Sequence, residues 1–207
     1  MPLSEPPPLR DNVRLTLLGA QRLYRWIAER QDELEISSED SVRIAGSLLD
    51  IAVEHHAGII ALVSARIYGS AFALIRSEFE ALVRALWLQL AASPKELKTA
   101  VENDSWPRFT KMIEAIECHP DFSEKILSGL KASAWTAMNG YTHGGMHQIV
   151  RRMTAQNTIE PNYDPDEVLE VLKASGSIAL LAFQQMARLA QKTDLENEIE
   201  KMLVTYS

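Results

Sequence analysis

The sequence predicts an all-α protein: one helical bundle over residues 11–207 behind a proline-rich arm at residues 1–10, expected to be flexible. Three observations carry that prediction. Apolar residues recur at helical spacing along most of the chain. No segment alternates apolar and polar residues as a half-buried strand does, and the one Asn-Gly pair, Asn139-Gly140, lacks alternating flanks. The apolar runs IIALV and SIALL each lie inside a longer helical period, so length assigns them to helix as well.

Pro2 and Pro6 to Pro8 lack amide donors and exclude a helix from the arm. From Asp11, the spacing of Leu15, Leu17, Leu18, Leu23, Trp26 and Ile27 predicts a first helix to about Leu34. Ser37 or Ser38 can cap a second, whose first turn holds Glu39 and Asp40 where the helix dipole favours negative charge. It extends to about Ile67, and its later part is nearly uncharged between Glu54 and Arg66, so more than one face is expected to be buried. Residues 70–92, SAFALIRSEFEALVRALWLQLAA, are rich in helix formers and end before Pro94. Phe72, Ile75, Phe79, Leu82, Leu86 and Leu88 surround this segment, which predicts a central, mostly buried helix.

Ser93-Pro94 with Glu96 in the first turn starts a short helix to about Asn103. Another runs from Pro107 to about Cys118, and a longer one from about Ser123 reaches Trp135 or Met138 before NGYTHGG interrupts it. MHQIVRRM predicts two more turns and IEPNYDPD a loop. Asp164-Pro165 with Asp166 and Glu167 opens a long helix to about Lys192, and DLENEIEKMLV adds a last amphipathic turn or two.

Composition narrows the function classes. With 46% hydrophobic and 24% charged residues the chain is an ordinary globular one. Its formal net charge of −7 argues against coating nucleic acid or anionic membrane by bulk electrostatics, while leaving room for a local basic patch. The lone Cys118 permits no intrachain disulfide and fits a cytoplasmic location. The N-terminal stretch has no secretory signature, and no stretch was expected to stay apolar long enough to cross a membrane.

Two constellations carry chemistry. At 100° per residue, setting Arg76 at 0° places Glu80 near 40°, Arg84 near 80° and Trp87 near 20°. Such a stripe is either a structural ladder, contributing about 0.2–0.5 kcal/mol per pair, or a polar site whose second arginine, with no acidic partner of its own, receives an anion. The other constellation is Tyr141, Thr142, His143, Gly144, Gly145, His147, Arg151 and Arg152. If a helix begins near residue 143, then His143, His147 and Arg151 share a face. At a helix N-terminus the dipole disfavours imidazolium, leaving a neutral imidazole able to act as a general base beside arginines that stabilise a phosphoryl transition state. The structural alternative is that His143 caps a broken helix while Gly144 and Gly145 turn the chain.

The catalytic candidates are therefore His143, Glu80 and Arg151, and the ligand-binding candidates Arg76, Arg84, Tyr141, His147 and Arg152. A less favoured arrangement is a small-molecule pocket lined by Trp87, Trp135 and Tyr141, with the same arginines holding a carboxylate. His143 and His147 have zinc-like spacing, but no Glu follows the first histidine and no third ligand is evident, so no metal is expected. No glycine-rich phosphate loop or nucleophile elbow occurs, and no cofactor is expected.

ALIRSEFEALVRALWL, WTAMNGYTHGGMHQIVRR and IEPNYDP together resemble an uncharacterised bacterial family with an R-x-x-F-E-A-x-x-R-x-x-W-L helix and a Y-T-H-G-G motif, over about residues 40–190. More remotely the chain is similar to the HEPN (higher eukaryotes and prokaryotes nucleotide-binding) superfamily of helical bundles. That resemblance implies an HEPN-like homodimer with an RNA or nucleotide ligand. It further implies either a metal-independent ribonuclease of toxin-antitoxin or antiphage systems, or a non-enzymatic antitoxin-like module that engages a protein partner. The ribonuclease members share an Arg-x(4 to 6)-His motif, which is missing here: upstream of His143 the nearest basic residue is Lys131. The cation would come from Arg151, Arg152 or the Arg76 and Arg84 pair, with Glu80 orienting one of them. A phosphate-directed function expects the two constellations in one pocket; an interaction module expects an internally satisfied ladder and no concavity beside His143.

Overall fold

A computed structural model describes residues 9–153 and 158–206, so most of the arm expected at 1–10 lies outside the described residues. The helices are α1 (Asp11–Gln31), α2 (Asp40–Ser64), α3 (Tyr68–Leu90), α4 (Pro94–Asn103), α5 (Phe109–Ile116), α6 (Ile126–Thr142), α7 (Met146–Val150), α8 (Pro165–Leu189) and α9 (Thr193–Tyr206), with a 3-10 turn at Pro120–Phe122. Among the described residues the one β feature is an isolated antiparallel bridge between Met153 and Ile159. The all-α class is thus what the chain adopts.

The architecture follows from which helix stripes are apolar. α2 and α3 form an extensively packed hairpin, closed where Arg66 takes a left-handed φ of 62°. Ala45, Leu49, Ala52, Val53, Ile59, Ile60 and Val63 of α2 are buried, a stripe at i, i+4, i+7 spacing that meets α1, α3 and α8. By length and composition α2 is apolar enough to cross a membrane, with a mean hydropathy of 1.3 over its best window, which corrects the expectation that no stretch is. Its apolarity is used here to pack against three helices. α3 packs against α2, α5, α6 and α8 and buries Phe72, Ile75, Phe79, Leu82, Leu86 and Trp87. α9 folds back along α8 with Ile199 fully buried, so it is longer and better docked than a terminal turn or two.

Local chemistry explains the boundaries. Ser93 forms a capping box with Glu96, and the Asp164 side chain accepts from the Asp166 amide, as their positions before Pro94 and Pro165 predict. Elsewhere the expectation needs correction. α2 begins at Asp40 with Glu39 in the N-cap position and no side-chain cap; Ser37 instead accepts from the Glu39 amide. α5 starts at Phe109, not Pro107, and ends at Ile116. α6 continues through Asn139 and Gly140 to Thr142, so the interruption is confined to His143, Gly144 and Gly145.

That junction is built for close approach. Gly144 turns the chain at a φ of 65°, which suits a residue without a Cβ. Inside α6, a Cβ on Gly140 would stand 2.8 Å from His147 Cδ2, so the missing side chain is what lets α7 fold back onto α6.

Candidate functional site

α3 carries the seam. Arg76 Nε donates to Glu80 Oε1 at 2.8 Å, and Arg84 lies 3.6 Å from Glu80 Oε2, each one helical turn from the carboxylate. The Arg76 guanidinium also reaches the exposed His143, its terminal nitrogen 2.5 Å from Nε2. Because a guanidinium only donates, Nε2 is the accepting atom in this contact. Arg76, Glu80, Arg84 and His143 thus form one continuous chain of polar contacts, although 67 residues separate Arg76 from His143.

His143 is positioned differently from the sequence expectation. It occupies the C-cap of α6, its amide donating to the Asn139 carbonyl, and α7 begins only at Met146. The argument from a helix N-terminal dipole therefore does not apply to it. The cause is that α6 outlasts its expected end by about a turn and consumes the residues read as a break.

Aromatic rings wall the seam. The Arg76 guanidinium lies 5.1 Å from the centre of the Trp135 ring, and Trp135 in turn stacks on Phe109 at 4.5 Å. Lys131 stands over the same ring at 5.8 Å. The Arg84 guanidinium lies 5.3 Å from the Trp106 ring centre, and its buried Nε has no hydrogen-bond partner. From sequence Trp106 reads only as a core or interface anchor and Phe109 carries no signal; each lies in or beside a loop whose path only packing decides.

The other expected residues fall in a second cluster. Arg151 grips Glu167 of α8 in a bidentate pair, Nε donating to Oε2 at 2.8 Å and a terminal nitrogen to Oε1. That hydrogen bonding raises the Arg151 pKa further and keeps it cationic. Tyr141 is packed edge-to-face on Phe72 at 5.0 Å, and burial, then the nearby Glu167 charge, pushes its phenol up. His147 covers Gly140 and lies 6.2 Å from the Tyr141 ring. Arg152 approaches Tyr163 beside Gly69. The structure therefore splits the sequence candidates: Arg76, Glu80, Arg84 and His143 meet on the seam, while Arg151 and Tyr141 group with Glu167 elsewhere, so only His143 of the second constellation joins the first. Trp87 and Tyr141 line different cavities, which corrects the pocket expected between Trp87, Trp135 and Tyr141.

Sequence reasoning missed a buried node. His56 of α2, Glu78 of α3 and Ser175 of α8 are each fully buried, and His56 Nδ1 lies 2.7 Å from the Ser175 hydroxyl. Burial pushes the Glu78 carboxyl well above the ordinary carboxylate range, partly offset by Ser175, and takes His56 down to about 4. Both thereby favour their neutral forms. The signal was available: Glu78 shares its helix face with Ile75 and Leu82, a stripe otherwise apolar. Among the described residues, no group of three or more His, Cys, Asp or Glu is placed to hold a metal.

Fold and seam together define an all-helical protein with a charged seam on α3 flanked by aromatic rings. The chain belongs to a family of unknown function, DUF6988, whose model matches residues 49–207 and so spans every residue of the seam. No curated protein and no solved structure matches it.

Proposed function

We propose that the α3 seam binds the phosphate of an RNA strand or nucleotide, on an HEPN-like bundle with α3 as its central helix, in the cytoplasm. The observation that supports this reading is that Arg76 and Arg84 flank one carboxylate on α3 while His143, from the end of α6, meets the Arg76 guanidinium. With Lys131 over Trp135, the seam holds three permanent cations against Glu80, 3 − 1 = +2, on a chain whose net charge is −7. A local excess of that sign attracts anions that the rest of the surface repels.

Phosphate contacts fall to Arg76 and Arg84, while Arg151, held by Glu167, supports Tyr141. Arg76 covers His143 Nε2. An incoming phosphate that draws Arg76 away would uncover Nε2, which could then accept a proton from a ribose hydroxyl. Binding is the primary activity in this reading, and cleavage follows only from that displacement.

The test is calorimetry with short single-stranded RNA and AMP on the wild type and on Arg84→Ala and His143→Ala, each checked for helical content, beside a cleavage gel. Saturable binding that weakens tenfold or more in folded Arg84→Ala is the expected result. A folded wild type that binds nothing in the panel overturns the reading.

One observation favours a second reading, a non-enzymatic interaction or antitoxin-like module that pairs with itself. Met146, Ile149 and Val150 of α7, with Met153 and Ile159 beyond it, expose apolar side chains at i, i+3, i+4 spacing, while Arg151 and Arg152 turn inward. A homodimer covers such a face with one kind of patch. Light scattering on the Met146→Glu, Ile149→Glu double variant tests it: a dimer that becomes a monomer supports this reading, and an unchanged mass counts against it.

A further inference from the structure

We infer that the bowl beside Trp106 is a base-stacking subsite, so that the seam's ligand is a nucleotide held by its base as well as its phosphate; this rests on the phosphate-binding reading above. Between α4 and the segment leading into α5 lies an open cavity of about 570 Å³, within the usual range for small-molecule sites. Trp87 and Trp106 form its aromatic walls, with Pro107 beside them and Lys95, Glu96 and Ser105 at its polar edge.

Trp106 is prepared for stacking. Its indole Nε1 donates to Asp104 Oδ1 at 2.8 Å, its ring meets the buried Trp87 edge-to-face at 6.1 Å, and the Arg84 guanidinium lies 5.3 Å from its centre. A ring fixed in this way loses little freedom when a flat ligand settles on it. Trp135 differs, because Phe109 stacks on it at 4.5 Å and both Arg76 and Lys131 crowd it. Trp106 lines an open cavity.

Arg84 connects the two parts. It touches Glu80 on the seam side and Trp106 on the bowl side, and its buried Nε lacks a partner. A phosphate on Arg84 therefore places an attached base within reach of Trp106, and neighbouring Ser105 and Lys95 offer polar contacts to the sugar and base edge. Base stacking tolerates different sequences, which suits a site with few donors fixed toward a base.

Titration calorimetry with inorganic phosphate, AMP and a short oligoadenylate RNA, on wild type, Trp106→Leu and Trp106→Phe, tests the subsite. The expected result is that wild type binds AMP more tightly than phosphate, that Trp106→Leu loses about tenfold for AMP with phosphate unchanged, and that Trp106→Phe retains most of the difference. In the wild type, the Trp106 indole N–H resonance should move with AMP and not with phosphate, a readout independent of whether a variant folds. The oligoadenylate arm separates the sources: equal affinity marks a free nucleotide, and tighter binding a strand. Phosphate binding with no added affinity for AMP overturns the base subsite and leaves the seam intact. If neither phosphate nor AMP binds the folded wild type, the seam and the subsite fall together.

Discussion

Glu78 and Glu80 are the same residue type, two positions apart on α3, and they meet opposite environments. Two residues rotate the chain about 200°, so Glu80 faces the seam while Glu78 points into the core between α2 and α8. Glu80 retains 20% side-chain exposure and lies against two guanidiniums; Glu78 is fully buried, and neither of its carboxylate oxygens has a hydrogen-bond partner among the described residues. The partnered carboxylate sits between two guanidiniums, whereas burial drives the unpartnered one toward its neutral form. A charge on a helix therefore takes its role from the face it occupies and from what packs there.

The largest effect that can break this comparison is acid destabilisation at the buried node. His56 falls from an ordinary 6.5 to about 4 in the folded state, so the unfolded chain binds the extra proton between those values. The His56 contribution is fully present above pH 6.5 and declines toward pH 4 by about 3 kcal/mol, at about 1.4 kcal/mol per pH unit. Urea unfolding of wild type and His56→Leu across this range checks it: the variant should lose that slope.

Glu78 titrates with the opposite sign. Its raised folded pKa means that the native state holds the proton longer, so its contribution is present below the unfolded value and is lost as pH rises toward the folded one. Glu78→Gln should flatten stability on that side, where the slope is at most about 1.4 kcal/mol per pH unit, and be more stable than wild type at pH 8. Equal pH profiles for the two proteins would sink the assignment of Glu78 as a buried acid.

The paired cluster should respond more weakly. Glu167→Gln removes the bidentate partner of a partly exposed Arg151 and should cost about 1 kcal/mol, less in high salt. Thermal melts at low and high ionic strength read this directly. The smallest stability change is expected at the seam: Glu80→Gln should cost about 0.5 kcal/mol yet tighten inorganic phosphate, because Glu80 occupies the space between Arg76 and Arg84 that an anion would take. Weaker phosphate binding in Glu80→Gln would instead mean that the carboxylate orients the arginines.

Much of the fold was legible because helix signals are local. Ser93-Pro94 with Glu96 and Asp164-Pro165 marked two helix starts within one residue, since capping and proline chemistry act over a single turn. The stripe of Arg76, Glu80 and Arg84 was legible for the same reason: helix geometry places i and i+4 residues together. The end of α6 was less so. Gly140 suggested a break, but a glycine in a helix costs only about 1 kcal/mol, and here it makes room for His147.

By itself the sequence determined the helical class, the two proline-marked starts and the charged stripe of α3, all consequences of periodicity and short-range backbone chemistry. Tertiary structure decided what each charge meets. It brought His143 to Arg76, committed Arg151 to Glu167, set Trp106 beside Arg84, and enclosed Glu78 with His56 and Ser175. These partners come from separate elements of the chain, and their meeting depends on how apolar stripes pack against one another, which no single helix's sequence specifies.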